Sequence, residues 1–212
     1  MMNMSIPYEL TGRRRQKART RNALVAAARQ LLAEGITPTV EQAADRAEVS
    51  RTTAYRYFPN RRALLAATYP EIEAGSQLGT EPPSDPLERL DLVTEAITRQ
   101  VVEHEPELRA QLRLSLEPRP PDPEDLPFRR GRAIGWLEDA LAPLREQVPE
   151  VELRRLVLAI RATIGIEALV WLTDVAGLSR EEAVDIMRSS ARTLARAVIA
   201  GTPSSQRPDR DL

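Results

Sequence analysis

TVEQAADRAEVSRTTAYRYFPNRR, residues 39 to 62, decides how this chain is read. It predicts two short helices joined by a tight turn, with a third beginning at once. The Thr39 hydroxyl is placed to accept from an early backbone N–H, and Gln42, three residues on, to reach back in a capping box. Ala43, Ala44 and Ala47 are small enough to let another helix cross closely. Val49 closes the turn as a buried plug, and Ser50 caps the next helix, expected to run to about Tyr57. On a 3.6-residue wheel, Ala54 and Phe58 fall inward with Val49, while Arg51, Thr52, Tyr55 and Arg56 fall outward. Pro59 ends that helix and Asn60 caps another. Arg61 and Arg62 stand in its first turn, beside backbone N–H groups that favour an anion. Basic side chains there oppose the helix dipole, a cost that a bound phosphate would remove.

Two guanidiniums, a hydroxyl and a phenol on one exposed face suit a DNA major groove. Arg pairs in bidentate fashion with guanine, Thr and Tyr hydrogen-bond or touch a thymine methyl, and other donors hold phosphates. The competing reading is a merely solvated helix face. Charge distribution favours the first. Residues 1–68 carry 12 Lys/Arg against 5 Asp/Glu and residues 69–212 carry 18 against 26, so the net charge of −1 divides into +7 and −8. A basic end on an acidic body suits a chain of which one part meets a polyanion.

The stretch from Thr39 to Leu65 resembles the DNA-binding signature of the tetracycline-repressor-like (TetR) family of bacterial transcription regulators. The matching residues are Thr39-Val40, Ala44, Ala47-Glu48-Val49-Ser50, Thr53, Tyr55, Tyr57-Phe58-Pro59-Asn60, Arg61 and Leu64-Leu65. The resemblance implies an all-α, nine-helix fold: an N-terminal three-helix helix-turn-helix domain, then a C-terminal helical ligand-binding and dimerisation domain. It also implies a homodimer. Under it, Arg51, Thr52 and Tyr55 read bases, with Arg56 on bases or backbone, and Thr39, Thr53, Tyr57 and Arg61 hold phosphates. Three positions depart from the family pattern. Glu48 stands where Gly is common, and a residue with a Cβ there has to take φ > 0 at a cost of order 1 kcal/mol. Ala43 replaces a common Ile, thinning the small core, and Arg61 replaces a phosphate-binding Lys with the charge kept.

Outward from this stretch, residues 1–15 read as a flexible basic arm (Gly12, Arg13, Arg14, Arg15), either a solvated tail or a segment reaching into a DNA groove. The helix-turn-helix domain is expected over 16–62. Its first helix has Leu24, Ala27, Ala28, Leu31 and Leu32 on one face, and Gly35 stops it. The ligand-binding and dimerisation domain follows over 63–200. Helix four should continue to about Ala74. The Pro/Gly-rich stretch 75–86 is the expected seam, and helices follow from Pro86 and after Pro106. The segment 117–127, with five prolines in eleven residues, cannot be helix. Further helices are expected over 128–147, 150–175 and 179–200, with a disordered tail at 201–212.

The last two helices are apolar on more than one side, which marks a second buried surface. Under the resemblance this is the dimer interface, with Ile160, Ala168, Met187, Ala191, Leu194 and Val198; the alternative is that both sides are satisfied within one chain. A ligand pocket is expected among Ile97, Leu112, Leu116, Trp136, Ile164, Glu167 and Trp171. Either Trp is equally readable as ordinary core. A carboxylate at Glu167, on an otherwise apolar helix, pairs with an Arg, faces the dimer partner or reads a ligand's polar group.

The chain has no Cys and one His, His104, so neither a disulfide framework, a transition-metal site nor a Ser/His/Asp triad is expected, and no cofactor is called for. An enzyme is not expected. No segment approaches the ~18–20 unbroken apolar residues of a bilayer span, and a cytoplasmic location without a membrane partner is expected. The sequence reads as a sequence-specific DNA-binding transcription regulator, a repressor released from a palindromic operator by an unknown small-molecule effector. The alternative is a DNA-binding protein without small-molecule control.

Overall fold

The computed structural model describes residues 8–68, 76–117 and 132–201. All regular structure among the described residues is helical: α1 Tyr8–Ala33, α2 Val40–Arg46, α3 Arg51–Tyr57, α4 Arg61–Ala67, α5 Pro86–Glu103, α6 Glu105–Leu116, α7 Arg132–Ala140, α8 Glu150–Thr163, α9 Ile166–Val170 and α10 Arg180–Gly201. A 3₁₀ turn, Ala142–Glu146, follows α7, and a π turn, Trp171–Val175, continues α9. The end expected for helix four, the proline-rich segment from 118 on and the tail from 202 on lie outside the described residues.

Three expectations of helix extent change. Helix α1 begins at Tyr8, inside the stretch read as a loose arm. Between Pro7 and Ala33 only Gly12 disfavours helix, and one interior Gly costs about 1 kcal/mol. The 128–147 helix is shorter: α7 ends at Ala140, and Pro143 sits early in the 3₁₀ turn. Its ring and missing N–H oppose a continued α-helix. The 150–175 helix breaks at Ile164-Gly165, where Gly165 is extended at φ −98°, ψ 179°. A Cβ on Gly165 would stand 2.2 Å from an Arg161 Nη1 and 2.5 Å from Glu167 Oε2, so no larger residue fits beneath that pair without displacing it. Counted as one bent helix, α8 and α9 bring the described helices to the expected nine.

The chain forms two compact units, one holding α1–α4 with α6 from Pro106 on, the other α5 and α7–α10. In the first, Leu24, Val25, Ala28, Val40, Ala43, Ala44, Ala54, Phe58 and Leu64 make one apolar cluster. Leu32, Leu65, Ala110 and Leu114 make a second. Helices α4 and α6 therefore share the core of the first unit. Polar ties reinforce this: Gln111 Nε2 donates to the Leu65 carbonyl, and Arg62 pairs with Glu117 at 3.2 Å.

In the second unit α10 packs on α5 and α8, burying Ala183, Met187, Ala191 and Ala195. Three small residues in that row let the helices approach closely. Arg188 pairs with Glu95 at 3.2 Å and Arg192 with Asp91, both across α5 and α10. Glu105, buried at 6%, accepts from Arg180 Nε at 2.6 Å and Nη2 at 3.2 Å, which ties the end of α5 to the start of α10. Ser179 and Glu182 form the expected reciprocal cap: Ser179 N–H donates to Glu182 at 2.9 Å and Glu182 N–H to Ser179 Oγ at 3.2 Å.

Candidate nucleic-acid interface

The geometry of the head begins with two helix ends of the same kind. Past α1, Gly35 takes φ 80°. Its N–H donates to Leu32 and that of Ile36 to Leu31, closing a Schellman turn. Past α2, Glu48 takes φ 53°, the one non-Gly residue with positive φ among the described residues. Its N–H donates to Asp45 at 3.3 Å and that of Val49 to Ala44 at 2.9 Å, the same pair of bonds. The left-handed position predicted for Glu48 is therefore the hinge that sets the angle between α2 and α3. Each short helix carries a side-chain N-cap. Thr39 and Gln42 form the full capping box. Ser50 Oγ accepts from Thr53 N–H at 3.3 Å, and Asn60 Oδ1 from Ala63 N–H at 2.8 Å. Arg46 grips Glu34 with two bonds, 2.7 and 2.9 Å, fixing α2 to the end of α1.

On this frame α3 has one buried residue, Ala54, and Phe58 just beyond it is 3% exposed. Arg51, Thr52, Tyr55 and Arg56 all stand exposed on the opposite side, as the wheel predicted. The anchoring set is more mixed. Thr39 and Arg61 are exposed; Thr53 and Tyr57 are half-buried. The Thr53 hydroxyl accepts from Ser50 Oγ at 2.9 Å, Tyr57 packs against the head's core, and the Arg56 guanidinium lies 5.6 Å from the Tyr57 ring centroid.

Two acidic residues of α2 reach the reading face, and sequence reasoning missed both. The Tyr55 hydroxyl donates to the Glu41 carboxylate. That bond holds Glu41 below its ordinary pKa and raises Tyr55 above its own. Asp45 stands 3.7 Å from Arg51 Nη2, with both side chains about two-thirds exposed. Separations of 14 and 6 positions leave no local spacing signal; only the α2–α3 angle brings these groups together.

The residues proposed for a pocket differ in burial and fall in both units. Ile97, Trp136 and Ile164 are buried. Leu112 is half-buried. Leu116 and Trp171, at 78% and 58% exposed, line no enclosed cavity of the single chain. Leu112 and Leu116 belong to the first unit and the other five to the second. Glu167 stands 3.9 Å from Arg161, the first of its three alternatives. The interface set also divides. Ile160, Met187 and Ala191 are 0%, 1% and 0% exposed, so they are core residues, not surface ones. Ala168, Leu194 and Val198 are half-buried. The exposed apolar side chains are instead Val151, Leu158, Trp171, Val175 and Ile186. The helical period predicted two apolar stripes but not which faced inward.

The family model for bacterial regulatory proteins of the tetR family matches residues 23–68, the span from α1 to the end of α4. Over those residues the chain is similar to that family. The caps, turn and exposed face described above lie within the matched segment. No curated protein matches this chain. Its fold is similar to that of a TetR-family transcriptional regulator from Streptomyces coelicolor, with 20% identity, TM-score 0.44, and 84% of this chain and 99% of that chain covered. It is also similar to a TetR transcriptional regulator from Rhodococcus sp. RHA1, with 18% identity, TM-score 0.49, and 89% and 99% covered. Among the described residues no three His, Asp or Glu side chains gather as metal ligands, and no single helix is long and apolar enough to cross a membrane.

Proposed function

We propose that the protein is a DNA-binding transcription regulator of the TetR type, a homodimeric repressor that binds a palindromic operator and is released by a small-molecule effector. The observation that carries the DNA half is the α3 surface: four exposed side chains able to read bases, on a helix whose opposite side is locked by Ala54 and Phe58. Arg51 and Arg56 supply forked donors for guanine, and Thr52 and Tyr55 supply hydroxyls. Thr39, Thr53, Tyr57 and Arg61 hold the backbone and set the register.

Dimerisation is supported by the exposed apolar side chains of α8, the π turn and α10. Val151, Leu158, Trp171, Val175 and Ile186 are large apolar side chains left exposed on these elements, and such side chains mark interaction surfaces where they gather in a patch. Two-fold symmetry then demands two half-sites with centres about one helical turn, ~34–36 Å, or slightly more apart. In this account the effector binds the helical body and changes the separation of the two heads. DNA binding without small-molecule control gains support from the exposure of Trp171 and Leu116, which removes two residues from the expected pocket.

The test is selection from a pool of random duplexes with the purified protein. The expected product is an inverted repeat, and dimer formation should be visible by sedimentation at the same concentration. Recovery of sequences without a common motif would contradict base reading by α3.

A further inference from the structure

The stretch of α1 from Arg15 to Ala23 buries no side chain in the core, and among the residues of described burial the first buried one in this helix is Leu24. From Arg15 to Ala23 every side chain is exposed except the half-buried Thr20. Residues 8–23 hold six basic residues, Arg13, Arg14, Arg15, Lys17, Arg19 and Arg21, against one acid, Glu9. Among the described residues no carboxylate pairs with Arg15, Lys17, Arg19 or Arg21. A helix that is polar all round gains nothing from packing, and its like charges four apart (Arg15 with Arg19, Lys17 with Arg21) oppose it. Such a helix becomes favourable when a polyanion lies along it.

Its position says which polyanion. The Arg21 guanidinium lies 5.6 Å from the centroid of the Phe58 ring. Phe58 is the residue that ends α3, directly between Tyr57 and the Asn60-Arg61 turn. The basic side of α1 thus starts at the anchoring edge of the reading head. Lys17 stands four positions before Arg21, one turn back along the same helix, extending the positive charge by roughly 6 Å.

We propose that the basic stretch of α1 from Arg15 to Arg21 is a second DNA-contacting surface, gripping the phosphate backbone that flanks the sequence read by α3. This rests on the reading of the head as a DNA-binding module. The contacts are to phosphates, so they add affinity and counterion release without adding base preference. Charge complementarity together with continuity at Arg21–Phe58 favours duplex DNA over any other acidic partner.

The experiment compares the full chain with the triple variant Arg15→Gln, Lys17→Gln and Arg19→Gln, which keeps good helix formers at exposed positions. The probe is the tightest duplex recovered by selection, with long flanks and with flanks trimmed to the half-sites. The triple variant should lower the slope of log affinity against log salt by about 2–3 per bound subunit, roughly 5 for the dimer, at ~0.9 per phosphate contact. It should also lose hydroxyl-radical protection of the flanking phosphates and keep the same base preference. Trimming should weaken the intact chain and leave the triple variant unaffected. Arg51→Ala separates the two hypotheses. If it relaxes base preference while the triple variant keeps the full salt slope and footprint, the head reads DNA and the proposal for α1 is wrong. If Arg51→Ala and the triple variant are both without effect, the reading of the head falls and the proposal with it.

Discussion

Helices α3 and α10 each have an inner and an outer side, but side-chain chemistry separates those sides only in α3. In α3 the outer side holds Arg51, Thr52, Tyr55 and Arg56, and the inner side holds Ala54. No rotation other than the observed one buries the apolar side. In α10 the inner row is Ala183, Met187, Ala191 and Ala195, and the exposed row includes Ile186, Ser189, Thr193, Ala197 and Ala200. Both rows are small or apolar, so either would satisfy a neighbouring helix. Packing on α5 and α8, not the residues of α10, decides the rotation. A helix whose two sides differ in chemistry declares its exposed side; a helix that is small or apolar on both sides does not.

The largest effect expected from this contrast is in the head's core. Phe58→Ala removes a ring that is 3% exposed and should destabilise the head by ~3–5 kcal/mol in denaturant unfolding. A loss under 1 kcal/mol would mean that Phe58 does not hold α3. In α10, Met187→Ala should cost ~2–5 kcal/mol at any protein concentration. Its neighbour in sequence, Ile186, should behave differently. Ile186→Ala should weaken self-association in sedimentation equilibrium and make the unfolding midpoint more dependent on concentration. If the two substitutions gave the same concentration-independent loss, the rotation assigned to α10 would be wrong.

This contrast also explains what the sequence made legible. The caps at Thr39, Ser50, Asn60 and Ser179, the stop at Gly35 and the positive φ of Glu48 are local, and each followed from residues within a few positions. The reading face of α3 was legible for the same reason. Two features depend on tertiary placement and were not, and a third was obscured by its local composition. Met187 and Ala191 were read as interface because periodicity cannot tell an inner stripe from an outer one. Glu41 and Asp45 reach Tyr55 and Arg51 only through the angle between α2 and α3. The helix of residues 8–15 was hidden by Gly12 and a run of arginines, which say more about solvation than about backbone.

Smaller effects test the turn and the reading face. Glu48→Gly should raise stability by up to about 1 kcal/mol, because Gly accepts φ 53° freely, and Glu48→Val should lower it. Equal stability for Gly and Val at this position would show that the turn does not depend on its left-handed backbone. The smallest effect is the pH dependence of the Tyr55–Glu41 bond. Glu41 titrates below its ordinary 4.5 and Tyr55 above its ordinary 10.0. The carboxylate's contribution is therefore present above pH 4.5 and lost as pH falls through the lowered value. The phenol's contribution is present below pH 10.0 and lost as pH rises through the raised one. Glu41→Gln should remove the acid-side dependence and return the Tyr55 titration, followed by its ultraviolet absorbance, toward 10.0. An unmoved Tyr55 titration would mean that the bond is absent in solution.

The central claim is that α3 reads bases, and the most direct test is fluorescence anisotropy of Arg51→Ala on the selected duplex and all its single-base-pair variants. The account predicts a loss of ~1–3 kcal/mol on the selected sequence and relaxed preference at one base pair in each half-site, with preference elsewhere kept. An equal loss on every duplex, random sequence included, would place Arg51 on the backbone and contradict it.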